Sequence, residues 1–209
     1  MITFQRFFLV LFILLSAPLV SHARLSSFTG AYLGGSFGYR NMSAKINKDD
    51  AIVANQKTYK FAGGGGTFEG IFGVGKAWKR LFLGYEFTTG FNNGRVKNNE
   101  ASIGNNWHFG FAARIGAPVQ DAGIMPFFGL GFEYKQMDFK TSTASNFYNY
   151  TLAPLVGVEF IVDDTWRLRA EGSYQLSVKT TNLPATYKFK TKPASFIFKG
   201  SVIYKIGDN

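Results

Sequence analysis

The chain has no cysteine, two histidines and six prolines in 209 residues. Without cysteine no disulfide can staple a small core, so stability must come from the fold or from its solvent. Past residue 23 the sole histidine is His108, and one His with no Cys cannot build a typical zinc site. Acidic residues are scarce too: 13 Asp and Glu face 23 Lys and Arg, a formal charge of +10. Beyond Val20, no segment is apolar for long enough to cross a bilayer as a helix.

The one apolar run, Phe7 to Val20, follows Arg6 and leads into Ser21-His22-Ala23, the three-part shape of a secretory signal. At about 14 residues it is shorter than the roughly 20 that a spanning helix needs. Residues 1–23 are therefore expected as a cleaved signal peptide and 24–209 as a single β-barrel domain. No cysteine lies near the cleavage point, which excludes a lipid-anchored Cys at the mature N-terminus. Removing Arg6 leaves 22 basic residues against 13 acidic ones, about +9. That charge invites an anionic partner, but export and the lack of any recognised nucleic-acid motif argue against DNA or RNA. A phosphate-bearing membrane surface is the more economical partner.

What the chain does have is 23 Phe, 10 Tyr and 24 Gly, distributed with a period of two. In Trp107 to Ile115, Trp107, Phe109, Phe111, Ala113 and Ile115 share one face, and His108, Gly110, Ala112 and Arg114 the other. The pattern recurs in Leu81 to Thr89, Trp166 to Val178 and Phe196 to Ile206, and in four further segments: Phe28 to Tyr39, Thr67 to Gly75, Met125 to Gln136 and Tyr148 to Val162. Pro154 lacks a ladder donor, so a bulge or local irregularity is expected beside it. The gaps alternate. Lys76 to Arg80, Val119 to Ile124 and Asp163-Asp164-Thr165 are short; Asn41 to about Gly64, Asn92 to Asn106, Met137 to Phe147 and Lys179 to about Pro193 are longer and polar. Short turns alternating with long loops are the signature of a transmembrane barrel. The fold class expected is all-β, an eight-stranded antiparallel up-and-down transmembrane β-barrel with both termini at the short-turn end.

Side-chain volume decides which face is outside. Eight strands enclose an interior only just wide enough for side chains to fill, and the Phe, Tyr, Trp and Leu of the apolar face would overfill it. The opposite face mixes Gly84, Gly110, Gly116, Gly129, Gly131 and Gly157 with charges, and these can pack a narrow polar lumen. Glu69, Glu86, Glu133, Glu159 and Glu171 then point inward with Arg114, Arg167, Arg169 and Lys199. Isolated charges in so confined a space are costly, whereas paired ones satisfy one another. An interlocked ionic network and a plugged lumen follow. Interfacial aromatic girdles are expected at Trp78, Phe160 and Trp166 by the short turns, and at Tyr39, Phe91, Trp107, Phe139, Tyr148 and Tyr150 towards the loops.

Phe28-Thr-Gly-Ala-Tyr-Leu-Gly-Gly-Ser-Phe-Gly-Tyr39, directly after a signal peptide, resembles the opening strand of the small outer-membrane β-barrel family often labelled "porin family", related to OmpA and OmpX transmembrane domains. The resemblance covers the mature chain in layout and is specific in residues at the first strand. It implies residence in the bacterial outer membrane and insertion by the outer-membrane assembly machinery. Members commonly end on an aromatic residue, whereas this chain ends Ile206-Gly207-Asp208-Asn209. No peptidoglycan-binding domain is seen after the barrel, so cell-wall anchoring is not expected.

Catalysis, cofactors and metals are not expected. Outer-membrane lipid deacylases of this size place a Ser two residues after a His on one strand face; here His108 is followed by Gly110. Gly63 to Gly66 lacks the Lys-Ser/Thr of a phosphate cradle and reads as a flexible loop end. The basic loops remain: Lys45, Lys48, Lys57 and Lys60 in the first, with Lys188, Lys190 and Lys192 in the fourth. Lipopolysaccharide phosphates would lie close to them. Tyr187 to Lys192 continues the alternation, with Asn182 to Ala185 as its turn, which suggests a projecting hairpin whose edge could pair with a partner's strand. The function expected is a structural and surface-interaction barrel, monomeric, contacting lipopolysaccharide or a host-surface ligand through these loops. The alternative is a narrow porin passing ions or small solutes.

Overall fold

A sheet with one face in an apolar solvent and the other in a cramped polar interior needs side chains that alternate in kind, and that alternation sets the strands. In the computed structural model they are β1 (Gly30–Asp49), β2 (Lys57–Trp78), β3 (Leu81–Asn92), β4 (Arg95–Lys97), β5 (Ser102–Gly116), β6 (Ile124–Lys140), β7 (Ala144–Ile161), β8 (Trp166–Ser177), β9 (Thr181–Leu183), β10 (Lys188–Thr191) and β11 (Ala194–Ile206). The structure describes residues 25–49, 57–97, 102–119, 122–140, 144–178, 181–183, 188–191 and 193–206. The expected signal segment therefore lies outside the described residues. A 3-10 turn, Leu25–Phe28, precedes β1.

The strands β1, β2, β3, β5, β6, β7, β8 and β11 each pair antiparallel with the next, and β11 returns to β1 with Ala31 opposite Ile206. The sheet is thus a closed barrel of eight strands, with no free edge along the wall. The start of β1 and the end of β11 both lie at the short-turn rim, where Ala31 faces Ile206 and Gly30 faces Gly75. The β2–β3 turn is tight, and Lys79 takes the left-handed conformation (φ 47°) that such a two-residue connection demands.

The first long gap is mostly strand rather than loop. β1 and β2 remain in register from Gly30–Gly75 to Lys48–Lys57, and β10 pairs with the upper part of β1 from Ile46–Thr191 to Asp49–Lys188. A strand of 20 or 22 residues is about twice the roughly 10 that cross a bilayer at a tilt, so this part continues well past the wall. Gly63 to Gly66 lies within β2 and is not a flexible loop end. A side chain at Gly65 would run into the backbone of Gly94 at the β3–β4 corner. Close backbone approach, not looseness, is what Gly64 and Gly65 serve.

The β9–β10 hairpin forms, with Leu183 opposite Phe189 and Thr181 opposite Thr191. Asn182 and Leu183, expected in its turn, belong to β9, and Pro184 and Ala185 lie outside the described residues. β10 is not left as an edge, since β1 occupies its other side. Beside Pro154 the β7–β8 ladder skips from Leu152–Leu176 to Leu155–Ser173 without a change of register, so a gap stands where a bulge was an alternative. The register shift lies instead between Asn105 and His108, where β5 meets β6.

The outer face is apolar and aromatic: Phe37, Tyr39, Phe68, Tyr85, Phe91, Phe111, Phe128 and Val156 are all exposed. Trp107, Phe109, Tyr134, Tyr148 and Tyr150 form one ring-to-ring belt across β5, β6 and β7, with centroids 4.9–5.6 Å apart from Trp107 to Phe109, to Tyr134 and on to both tyrosines. At the other rim Trp166 packs on Tyr204 at 4.9 Å. Among the described residues no helix is long and apolar enough to cross a membrane.

Candidate functional site

The inner face is layered. At the short-turn end Phe28, Phe82, Met125 and Ile161 make an apolar plug, each at most 2% exposed. Next to it Tyr32, Ile71 and Ile203 pack together. A tyrosine ring fits inside so narrow a barrel because the residue across from it is Gly73, where any Cβ would collide with that ring.

The charged residues follow. Arg114 bridges Glu86 (2.6 Å) and Glu171 (2.7 Å). Arg169 bridges Glu86 and Glu159, both at 2.7 Å, and Arg167 adds a second contact to Glu159 at 2.6 Å. Tyr32 donates its hydroxyl proton to Glu86 Oε1 at 2.7 Å and lies under the Arg167 guanidinium, 4.8 Å from ring centroid to Cζ. Lys199 links this group upward, lying 3.2 Å from Glu171 and 2.8 Å from Glu69. The structure thus brings Glu69, Glu86, Arg114, Glu159, Arg167, Arg169, Glu171 and Lys199 into one chain of contacts. Charge-assisted bonds of this length are among the stronger protein interactions, and in a desolvated lumen each group depends on its partner.

Glu69 is a hub. Besides Lys199 it accepts from Ser36 Oγ at 3.3 Å, Thr67 Oγ1 at 3.5 Å and His108 Nε2 at 3.2 Å. The amide of Asn92 lies 2.8 Å from His108 Nδ1. With the nitrogen of that amide donating, Nδ1 is the acceptor and Nε2 carries the proton given to Glu69, so a neutral imidazole satisfies both contacts. His108 is fully buried in the lumen, and the nearby hydroxyls bond Glu69 rather than the imidazole. This arrangement orients a carboxylate; it does not present a nucleophile to a substrate.

Higher still, Glu133 lies 3.2 Å from Lys135 and accepts from Gln175 Nε2 at 2.6 Å. Lys135 and Ser195 both donate to Gln175 Oε1. Arg40 faces Glu133 at 3.9 Å. Above these, Met42, Ile103, Met137 and Phe147 are buried, and Arg95 pairs with Asp138 at 2.7 Å. A cavity of ≈20 Å³ remains between Arg114, Glu133, Glu171 and Lys199, room for about one water.

Several of these participants were not singled out from sequence: Arg40, Lys135, Tyr32, Gln175 and Asn92. Two carried a readable signal, since Lys135 continues the Glu133 face by one step of two, and Arg40 continues Tyr32-Gly34-Ser36-Gly38. The long-gap lysines are placed by backbone register alone: Lys45 opposite Lys60, Lys48 opposite Lys57, Asp49 opposite Lys188 and Asn47 opposite Lys190. Lys192 lies outside the described residues. No group of three metal-ligating side chains occurs among the described residues.

The family model for the outer membrane protein beta-barrel domain matches residues 7–196. Solved structures similar to this chain include Neisserial surface protein A, with 16% identity over 81% of this chain and 97% of that one, at a TM-score of 0.45. Another is Ail, the attachment invasion locus protein of Yersinia pestis, with 11% identity over 84% and 99%, at 0.43. The outer membrane protein OprG from Pseudomonas aeruginosa has 11% identity over 88% and 100%, at 0.48. No curated protein matches the chain.

Proposed function

The chain belongs to the outer membrane protein β-barrel family and resides in the bacterial outer membrane; from that premise we propose that it is a barrel with a filled lumen whose work is done on its outer surface, by contact with the phosphates of lipopolysaccharide. The observation that carries this reading is the run of β1 and β2 beyond the wall, with Lys45 opposite Lys60 and Lys48 opposite Lys57. Like charges directly opposite on paired strands destabilise a sheet. An anionic layer above the barrel would offset that repulsion, and polybasic segments gain on the order of 1 kcal/mol per residue at such a surface. A host-surface polyanion would satisfy the same chemistry. The continuous contact chain through the lumen supports a structural barrel without catalysis and disfavours the narrow porin.

Two measurements test this. Refolded protein in planar bilayers is expected to give no sustained open-channel current; steady conductance would replace the filled lumen with a pore. Replacing Lys45, Lys60, Lys188 and Lys190 together by Gln is expected to weaken retention of purified lipopolysaccharide and flatten its salt dependence, with the barrel still heat-modifiable on gels. Unchanged retention would remove the lipopolysaccharide reading.

A further inference from the structure

The lipid-facing side of the wall carries no charge with one exception. Among the outward-facing positions of the described wall strands, from the short turns up to the belt of Trp107 and Tyr150, Lys76 is the one charged residue. It shares its face of β2 with Val74 and Trp78 and stands opposite Leu83 of β3, while Trp78 ends the strand opposite Leu81. Lys76 is therefore two residues nearer the membrane centre than Trp78. An ammonium held at that depth in hydrocarbon is costly, and a long side chain relieves the cost by carrying its charge back to the headgroups. The side chain of Lys76 does this: its Nζ lies 5.4 Å from the centre of the Trp78 ring.

The turn beyond Trp78 adds Lys79 and Arg80, both exposed. The other connections of this rim differ. Residues 117–123 hold no Lys or Arg, and the turn before Trp166 holds Asp163 and Asp164. Exposed positive charge at the short-turn rim is thus gathered on one hairpin, around one interfacial indole. An ammonium and a planar guanidinium both bond phosphate oxygens, the guanidinium in bidentate fashion. Val74, Trp78 and Leu81 beside them are exposed and apolar, a surface for acyl chains. We propose that Lys76, Trp78 and Arg80 form a binding site for the phosphate headgroup of an anionic glycerophospholipid in the periplasmic leaflet, the side on which the short turns of such barrels lie. A zwitterionic headgroup would bring a cation of its own against the same turn, so the net-negative lipid is preferred. The site lies at the opposite rim from the lysines of β1 and β2 and does not depend on the lipopolysaccharide reading.

The test uses the full mature protein refolded into phosphatidylcholine vesicles, with Trp107→Phe and Trp166→Phe so that Trp78 is the sole indole. Its fluorescence is quenched by phosphatidylglycerol or phosphatidylcholine with brominated chains, at equal mole fractions. The anionic lipid is expected to be preferred at Trp78 by about fivefold, near what one basic residue gains at an anionic surface. A second protein that keeps Trp166 as its sole indole reports on the acidic turn and should show no such preference. Lys76→Gln together with Arg80→Gln should abolish the preference at Trp78. Equal quenching of Trp78 by the two lipids, a preference at Trp166 as large as at Trp78, or a preference unchanged by the two substitutions would overturn the site. If that variant does not refold, the two indoles decide: a preference confined to Trp78 supports the site, and equality between Trp78 and Trp166 removes it.

Discussion

The two ends of this barrel treat the same kind of residue differently. At the short-turn end every network charge has its counterion within 2.8 Å, and Phe28, Phe82, Met125 and Ile161 close the lumen beneath. Towards the long strands, Arg40 stands 3.9 Å from a carboxylate it shares, and lysines face lysines across β1 and β2. In the first region electrostatics is spent inside the fold. In the second a buried guanidinium shares its carboxylate, and the strand register sets basic residues opposite one another.

The sharpest way to break that contrast is to truncate a cation at the balanced end. Arg114→Ala leaves Glu86 and Glu171 without their bridge, and removing one partner of a buried pair costs about 3–5 kcal/mol. Guanidinium unfolding from lipid vesicles should show that loss; a change below about 1 kcal/mol would mean the lumen is wet enough to screen these charges. Tyr32→Phe is the next in size. It deletes a neutral donor to a buried carboxylate, a hydrogen bond of about 1.5–3 kcal/mol, and the same assay checks it. Gly73→Ala keeps every polar group and only crowds the Tyr32 ring, for which overpacking predicts roughly 1–3 kcal/mol. If Gly73→Ala is neutral, the ring has another place to go and the tight fit is not what holds it.

The other half of the contrast predicts near silence. Replacing Lys45 and Lys60 by Gln should move unfolding free energy by no more than about 0.5 kcal/mol, in the stabilising direction if repulsion dominates. A large loss would make these lysines structural and erase the distinction between the ends.

The wall was legible because one rule governs it: alternation located the strands, and the volume of Phe, Tyr and Trp against an eight-strand interior chose the face. The lumen was legible in kind but not in pairing, because period two gives a residue's side and not its height or its neighbours around the barrel. That is why Arg114 was placed inside while its bridge between Glu86 and Glu171 was not foreseen. Tyr32 and Phe82 were missed for a related reason. An aromatic on the inner face breaks the volume rule unless glycines opposite make room, and seeing this requires the cross-strand register of Tyr32 with Gly73. The length of β1 and β2 escaped because polar residues such as Asn47 and Thr58 suggest a loop, although backbone pairing does not need apolar side chains once a neighbouring strand is fixed.

The smallest effect belongs to the short turn after β7, where the balanced end meets water. Asp163 Oδ1 accepts from the Trp166 and Thr165 amides, each at 2.7 Å, and from Thr165 Oγ1 at 2.8 Å. These donors, the Trp166 amide foremost, hold the Asp163 carboxyl below the usual carboxylate range. A folded-state value below the unfolded one means that the ionised group stabilises the turn. The contribution is complete above the unfolded carboxylate range and disappears as pH falls through the folded value. The amide in Asp163→Asn can keep one acceptor but carries no charge, so wild type should be the more stable near neutrality and the two should converge in acid. Measuring the difference between them, rather than either curve, removes the titration of the lumen carboxylates common to both. A gap that stays constant from neutral to acidic pH would show that the turn is held by shape and not by the charge on Asp163.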